Sequence, residues 1–438
     1  MNMAGLSFNT LPPIDLPFRF FITAPLFIIA CGLLVFFSAE QLWLSRWHPH
    51  MLALTHGFTL GFLTMVMMGA LLQLLPVIGG IGMPYPRRIA STSHASLSLG
   101  TLCLMLGFIL NQPWLLIIAM AFLVLGIGLY LCALAWVLQK KLSQGDSIIG
   151  FRFAVMALLL VLVLGIALMS RTLGINSSLA TYYLPLIPSG EHVTNIHALW
   201  GLIGWAGLLI IAVSFQVIPM FHVAPSFPRI ISRYLSASVF ALLVLFIFLP
   251  SFALSILVIS QGIFACSLLY TISKRNRKVA DTSIRYWQLG AVSVLLINIL
   301  YFIPDNLWYS YVAMNKEMLL AAIFIYFYLV SVIQGMLLKI LPFLSYTHLQ
   351  QACLVNFSAM QYIPHMHEFM NKKHGLWLFY LHLLTGTSLL LVLTQPSQYR
   401  WFAGMLMAEF FWLFFIMCKT MKLYFITQQK INLAHAKQ

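Results

Sequence analysis

Hydrophobic positions in this chain come as unbroken apolar runs, each long enough to cross a bilayer, rather than at the amphipathic spacing of a soluble helix. A helix crossing the hydrocarbon layer needs about 20 such residues. Twelve runs meet that length, near 18–42, 52–78, 92–110, 113–138, 150–169, 194–220, 231–249, 251–272, 284–304, 317–343, 375–394 and 400–424. Pro-rich or charged breaks separate most of them. The third and fourth runs are joined at Asn111-Gln112-Pro113 and the seventh and eighth at Pro250, so each pair reads as a helical hairpin.

A recurrence organises these runs. The second is opened by His56 and closed by Gln73-Leu74-Leu75-Pro76, with no charge between. A second copy runs from His197 to Gln216-Val217-Ile218-Pro219, and a third ends in Lys339-Ile340-Leu341-Pro342. These are the second, sixth and tenth runs, each four after the last. The pattern predicts an all-α polytopic membrane protein, one domain over 1–438, with 12 transmembrane helices as three pseudo-symmetric four-helix units near 18–138, 150–272 and 284–424. A proline at such a place ends or kinks its helix, and the nearby glutamine can satisfy freed carbonyls. His56 precedes Pro76 by 20 residues and His197 precedes Pro219 by 22, so the two histidines differ in depth by about 3 Å. The third copy has Glu317 there instead, 25 residues before Pro342.

Composition agrees: 61% of residues are apolar and 8% charged, against roughly 25% charged in soluble domains. The net charge of +15 does not point to nucleic acid, because the basic residues sit in short loops between apolar runs. With the N-terminus inside, 20 of the 24 lysines and arginines fall on inner segments, and only Arg46, Arg171, Lys316 and Arg400 lie outside. The positive-inside rule then places both termini in the cytoplasm, and the expected location is a bacterial inner membrane. The start of the chain has neither a basic n-region nor a small-residue cleavage site, so the run from Phe20 reads as a retained span. The six cysteines, Cys31, Cys103, Cys132, Cys266, Cys353 and Cys418, form no CxxC pair and read as small buried hydrophobes.

Candidate chemistry concentrates at the outer ends. His48, His50, His56, His192 and His197 all fall there, and imidazole is the common side-chain ligand of haem iron and copper. His48, His50 and His192 are candidate metal ligands, and His56 and His197 candidate cofactor ligands. His197, Gly201 and Gly204 share one helical stripe, and Gly57 and Gly61 lie beside His56, so a flat macrocycle could approach either face. The same glycines also serve ordinary helix packing, with the histidines merely hydrogen-bonded near the headgroups. Glu409, inside the twelfth run, is costly at that depth and by default marks a function such as a proton path, with His382 as its companion; protonation and a bond to a neighbouring helix is the plainer alternative. His365-Met366-His367-Glu368 and His374 lie in the one long inner connection, 345–374, and read as a weak metal motif or an exposed loop. Nucleotide-binding and common hydrolase motifs are absent from the sequence.

Twelve spans in three four-helix units, with His56 leading a Gly-rich helix to Gln73-Leu74-Leu75-Pro76 and His197-Ala198-Leu199-Trp200-Gly201 leading to Gln216-Val217-Ile218-Pro219, resembles subunit I of the haem–copper oxidases. The likeness is greatest to their divergent NnrS-type relatives, linked to nitric-oxide stress. The resemblance implies that His56 is an axial ligand of a low-spin haem, and it places His197 on the span that carries a copper ligand in that family. His197 sits higher, however, and lacks the family's His-Pro-Glu context. The seventh run has no histidine pair and the tenth has no histidine, so an oxygen-reducing centre is not expected, nor a complete terminal oxidase. The expected cofactors are haem b, held by His56 with His197, His192 or a methionine such as Met318, and copper, near the periplasmic face. Expected partners are the lipid bilayer and a membrane or periplasmic redox protein, with no nucleic acid. The implied role is redox, gas-binding or sensing. A cofactor-free transporter or channel, or an assembly subunit, are the alternatives.

Overall fold

The computed structural model describes residues 12–140, 145–174, 190–311, 315–354 and 356–436, and those residues form helices and connections without a strand. Twelve helices are long and apolar enough to cross a membrane. They are α1 (Asp15–Leu44), α2 (Pro49–Pro76), α3 (Pro86–Ile109), α4 (Pro113–Gln139), α5 (Asp146–Thr172), α6 (Gly190–His222), α7 (Arg229–Phe246), α8 (Pro250–Ser273), α9 (Thr282–Tyr301), α10 (Lys316–Ala352), α11 (Lys372–Thr394) and α12 (Pro396–Ala434).

The helices bearing the repeated motif are the innermost. In α2, α6 and α10, 78%, 78% and 67% of the most apolar window is buried, against at most 56% in any other helix. A helix that is apolar all round is stable only when surrounded, and these three are. The other nine follow one another in contact as α1, α3, α4, α5, α7, α8, α9, α11 and α12, which returns to α1. Between the inner three lies a cavity of about 90 Å³, lined by apolar side chains and by Gln73.

Each inner helix carries an eight-residue π-helical segment: Gly57–Thr64, Trp200–Gly207 and Ile323–Val330. Each begins nineteen residues before its proline, at Pro76, Pro219 and Pro342. Each closes on the same five-residue bond, Met65 to Leu60, Leu208 to Ile203 and Ser331 to Tyr326. Such segments are rare and concentrate at functional sites. The first two are rich in glycine and the third contains none, so position rather than glycine content is what the three share.

The prolines do not end their helices. The chain stays helical to Gly79 after Pro76, to His222 after Pro219 and to Ala352 after Pro342. The first stops at Gly80, where φ is +70°, and the second at Val223, where φ is +52°. Gln73 does not serve carbonyls of its own helix: its Nε2 donates to Pro12 O at 3.2 Å and ties the N-terminal segment down. Lys339, in the matching place on α10, pairs with Asp281. Because α10 continues to Ala352, the inner connection runs over 353–371 rather than 345–374 and contains two short helices, Phe357–Tyr362 and Met366–Phe369. Glu191 and His192 lie in the first turn of α6, not in the preceding loop, whose residues 175–189 fall outside the described set.

Three of the four glycines singled out beside the histidines serve packing. A Cβ on Gly57 would stand 2.3 Å from Cys31 Sγ, one on Gly61 2.5 Å from Phe27 Cγ, and one on Gly204 3.0 Å from Ala157 Cβ. Gly61→Ala should therefore force α1 and α2 apart at a cost of about 1–3 kcal/mol. Gly128→Ala, where nothing lies within 4 Å, should be neutral; thermal denaturation of the two variants in detergent checks the difference. All six cysteines are free. Cys31 and Cys353 are buried as expected, but Cys132 and Cys266 face outward, because the helix surface that meets lipid also needs apolar residues.

Candidate functional site

The end of the bundle opposite the prolines brings His56 of α2 and His197 of α6 together. Their ring centroids are 6.4 Å apart and the planes are inclined by 31°. The rings converge despite standing 20 and 22 residues from their prolines, with His56 directly before one π segment and His197 three residues before the other. Phe108 of α3 packs on His56 at 5.7 Å. His56 Nδ1 is 2.7 Å from Leu52 O. A carbonyl only accepts, so Nδ1 carries the proton and the Nε2 lone pair is left free to bind. His197 Nδ1 is buried without a hydrogen-bond partner.

Space beside the rings comes from α5. A helix lying flush on a bundle buries a stripe of residues, yet from Val161 to Ser170 no residue of α5 is fully buried. Gly165 faces His197, and a Cβ there would come within 3.3 Å of His197 Cε1. A Cβ on Gly201 would meet Val161 at 3.9 Å, an ordinary contact. Of the glycines read as clearing a face for a macrocycle, Gly201 alone is not tightly packed by a neighbour, and Gly165, which the sequence reading passed over, lies against the His197 ring.

The remaining outer histidines are committed elsewhere. His48 Nδ1 accepts from His50 N at 3.3 Å and caps α2. Burial, and then the neighbouring His50, hold the His48 imidazole below its ordinary range. His50 Nδ1 bonds Ser38 Oγ at 2.8 Å. His192 Nε2 lies 3.2 Å from Ile247 O, and its ring stacks on Phe246. His94 bonds Thr23 at 2.9 Å. Glu317 and Glu191 both pair with Arg46, at 3.2 and 2.7 Å, so the connection before α2 clamps the ends of α6 and α10 together. Met318 lies on α10, where its backbone N–H donates to Asn315 Oδ1. The His365–Glu368 motif is a helix cap: Glu368 Oε1 accepts from His365 N at 3.0 Å. Among the described residues no group of three or more His, Cys, Asp or Glu side chains is placed to hold a metal ion.

Glu409 and His382 also meet, although 27 residues separate them. Glu409 Oε1 is 2.8 Å from His382 Nδ1 and accepts from Gln334 Nε2 at 2.6 Å, while Oε2 accepts from Tyr326 Oη at 2.5 Å. On the far side of the ring, His382 Nε2 lies 2.6 Å from Ser331 Oγ, and Tyr326 stacks on the imidazole at 4.5 Å. All five side chains are at most 1% exposed. Tyr326 and Gln334 act only as donors here, so one proton must lie between Glu409 and Nδ1 whichever of the two owns it. Any further proton enters or leaves through Nε2 and Ser331. Tyr326 belongs to the third π segment and Ser331 caps it, so the cluster lies within and just after that segment, nearer the proline than His56 and His197, which precede theirs.

By its fold the protein is a polytopic, all-helical membrane protein in contact with lipid, with twelve membrane-length helices among the described residues. No protein-family model matches the chain, and no curated protein shows significant similarity to it.

Proposed function

We propose that this protein is a haem-binding redox protein built on three four-helix units in the manner of haem–copper oxidase subunit I, with His56 and His197 as the residues that would hold a b-type haem. The observation that carries the reading is the convergence of two imidazoles whose centroids are 6.4 Å apart. A metal–imidazole bond of about 2.0–2.1 Å puts each ring centre about 3 Å from the metal, so opposed ligands stand about 6 Å apart. The donor set supports haem over copper. Two rings suffice for a metal whose other ligands come from a macrocycle, whereas a bare ion needs three or four protein donors. When bound, a haem held from both sides supplies one-electron oxidation and reduction. If His56 and His197 both hold the iron, the group would serve electron transfer rather than gas capture, and a complete terminal oxidase is not expected. The Leu52 carbonyl orients His56 and raises its basicity, and Gly165 leaves His197 room to turn. The three-unit reading is supported by the common register of the π segments and prolines and by the closed ring of outer helices.

The test is an absorption spectrum and pyridine haemochrome assay on protein purified from cells supplied with a haem precursor. About one b-type haem per chain supports the reading; a folded, colourless, iron-free protein opposes it. Gly165→Val should lower haem content several-fold without touching either ligand, because the added methyls meet the His197 ring.

The second reading, a proton-coupled transporter, is favoured by the sealed Glu409–His382 pair, since intramembrane ionisable groups of this kind serve proton relays. An ion channel along the bundle axis is not favoured, because the central cavity is walled by apolar side chains. Solute-dependent proton uptake into liposomes by haem-free protein would support the transporter.

A further inference from the structure

At the proline end, between α6, α9, α10 and α11, lies a second cavity of about 150 Å³, lined in part by His222, Arg277, Asp281, Lys339 and Lys372. We infer that this cavity binds a phosphate-bearing anion. His222 closes α6 and is 3% exposed, yet neither of its ring nitrogens has a hydrogen-bond partner. A buried imidazole that makes no bond loses the water it had in the unfolded chain and gains nothing in return, so its place on the cavity wall points to a missing partner. Asp281 is not that partner. Its nearer oxygen is 3.7 Å from His222 Nδ1, and its carboxylate is taken by Lys339 and by Ser283 N, which it caps at 3.0 Å.

Once Asp281 and Lys339 have neutralised each other, Arg277 and Lys372 are left as cations on the wall. Two long helices, α9 and α11, begin there, with Thr282 and Lys372 of their first turns on the wall. Helix N-termini, a guanidinium and an ammonium converging on one space select an anion with several acceptor oxygens. A phosphate group fits the volume and the donor count. It could arrive as the headgroup of an anionic phospholipid or as a soluble phosphate or phosphate ester.

Two arms separate these sources. In the first, the full-length protein is exchanged into mixed phosphatidylcholine and phosphatidylglycerol micelles, and retained lipid is counted by native mass spectrometry. In the second, inorganic phosphate is titrated calorimetrically into protein in neutral detergent. Wild type should retain phosphatidylglycerol, or bind phosphate, at least tenfold better than Arg277→Gln/Lys372→Gln. These two side chains are exposed, so their loss should leave the fold intact. Lys430→Gln, remote from the cavity in sequence, should match wild type. Retention of phosphatidylglycerol without phosphate binding assigns the headgroup, and phosphate binding assigns a soluble ligand. Equal behaviour of wild type and the double variant in both arms overturns the inference.

Discussion

His56→Ala is expected to reduce haem content at least tenfold, whereas His197→Ala should keep a fraction of the haem and shift its spectrum from low-spin to high-spin. The two effects differ because the two rings are held differently. His56 is oriented by the 2.7 Å bond from Nδ1 to Leu52 O, and loss of a ligand so supported removes both the bond to metal and its preorganisation. Outer-shell partners of metal ligands alone are typically worth about 10–100-fold in affinity. His197 Nδ1 has no hydrogen bond as close as that of His56, its only backbone support being a weaker one from Val161, so this ring is less firmly oriented and its loss should cost less haem. His48→Ala and His192→Ala should retain full haem, since those rings face a helix cap and the Ile247 carbonyl. Haemochrome assay and the visible spectrum of the four variants measure all of this together.

Glu409→Ala should cost about 3–5 kcal/mol of stability, because it leaves several buried hydrogen-bonding groups without their partner, each at about 1–3 kcal/mol. The truncation strips the acceptor from Gln334 Nε2, leaves Tyr326 Oη only its 3.1 Å bond to His382 O, and leaves His382 Nδ1 facing a void. Glu409→Gln keeps the size and one acceptor oxygen, and should cost less than half as much. Replacing both partners by apolar residues, as in His382→Phe/Glu409→Leu, should recover part of the loss, because the imidazole is then no longer buried without its partner and the void is filled. Thermal denaturation in a single detergent ranks the three. Equal destabilisation by Glu409→Ala and Glu409→Gln would mean that the carboxylate merely fills space. A proton-transport role adds a separate readout: Ser331→Ala removes the group through which His382 exchanges its second proton, and should slow proton uptake more than it lowers stability.

The twelve spans were legible because lipid imposes a blunt rule: a backbone crossing it must be helical and apolar for about 20 residues. The recurrence of α2, α6 and α10 was legible too, from the shared Pro-terminated motif, but their place at the centre of the bundle was not. Nor was what the motif did. Pro76, Pro219 and Pro342 sit within helices that continue, because neighbouring helices surround the freed carbonyls, and the shared register belongs instead to three π segments without a common residue signature. Ile323–Val330 holds no glycine while Trp200–Gly207 holds three. Whether His56 and His197 meet depends on that local widening and on the packing of α2 against α6, neither of which is written in the spacing of either ring. Gly57 and Gly61 misled, since a helix offers glycine to a ligand and to a neighbour with the same sequence; here Cys31 and Phe27 occupy them. Glu409 and His382 were each visible as isolated polar residues, but Tyr326, Ser331 and Gln334 were lost among the apolar residues of α10. Their role depends on which face of α10 turns toward α12.

The most direct test of the central claim is the frozen-solution EPR spectrum of the oxidised protein purified under haem supply. The account predicts a low-spin ferric signal of bis-imidazole type, about one spin per chain, converted to high-spin in His197→Ala. A folded protein without iron, or a high-spin signal unchanged when His197 is removed, would contradict it.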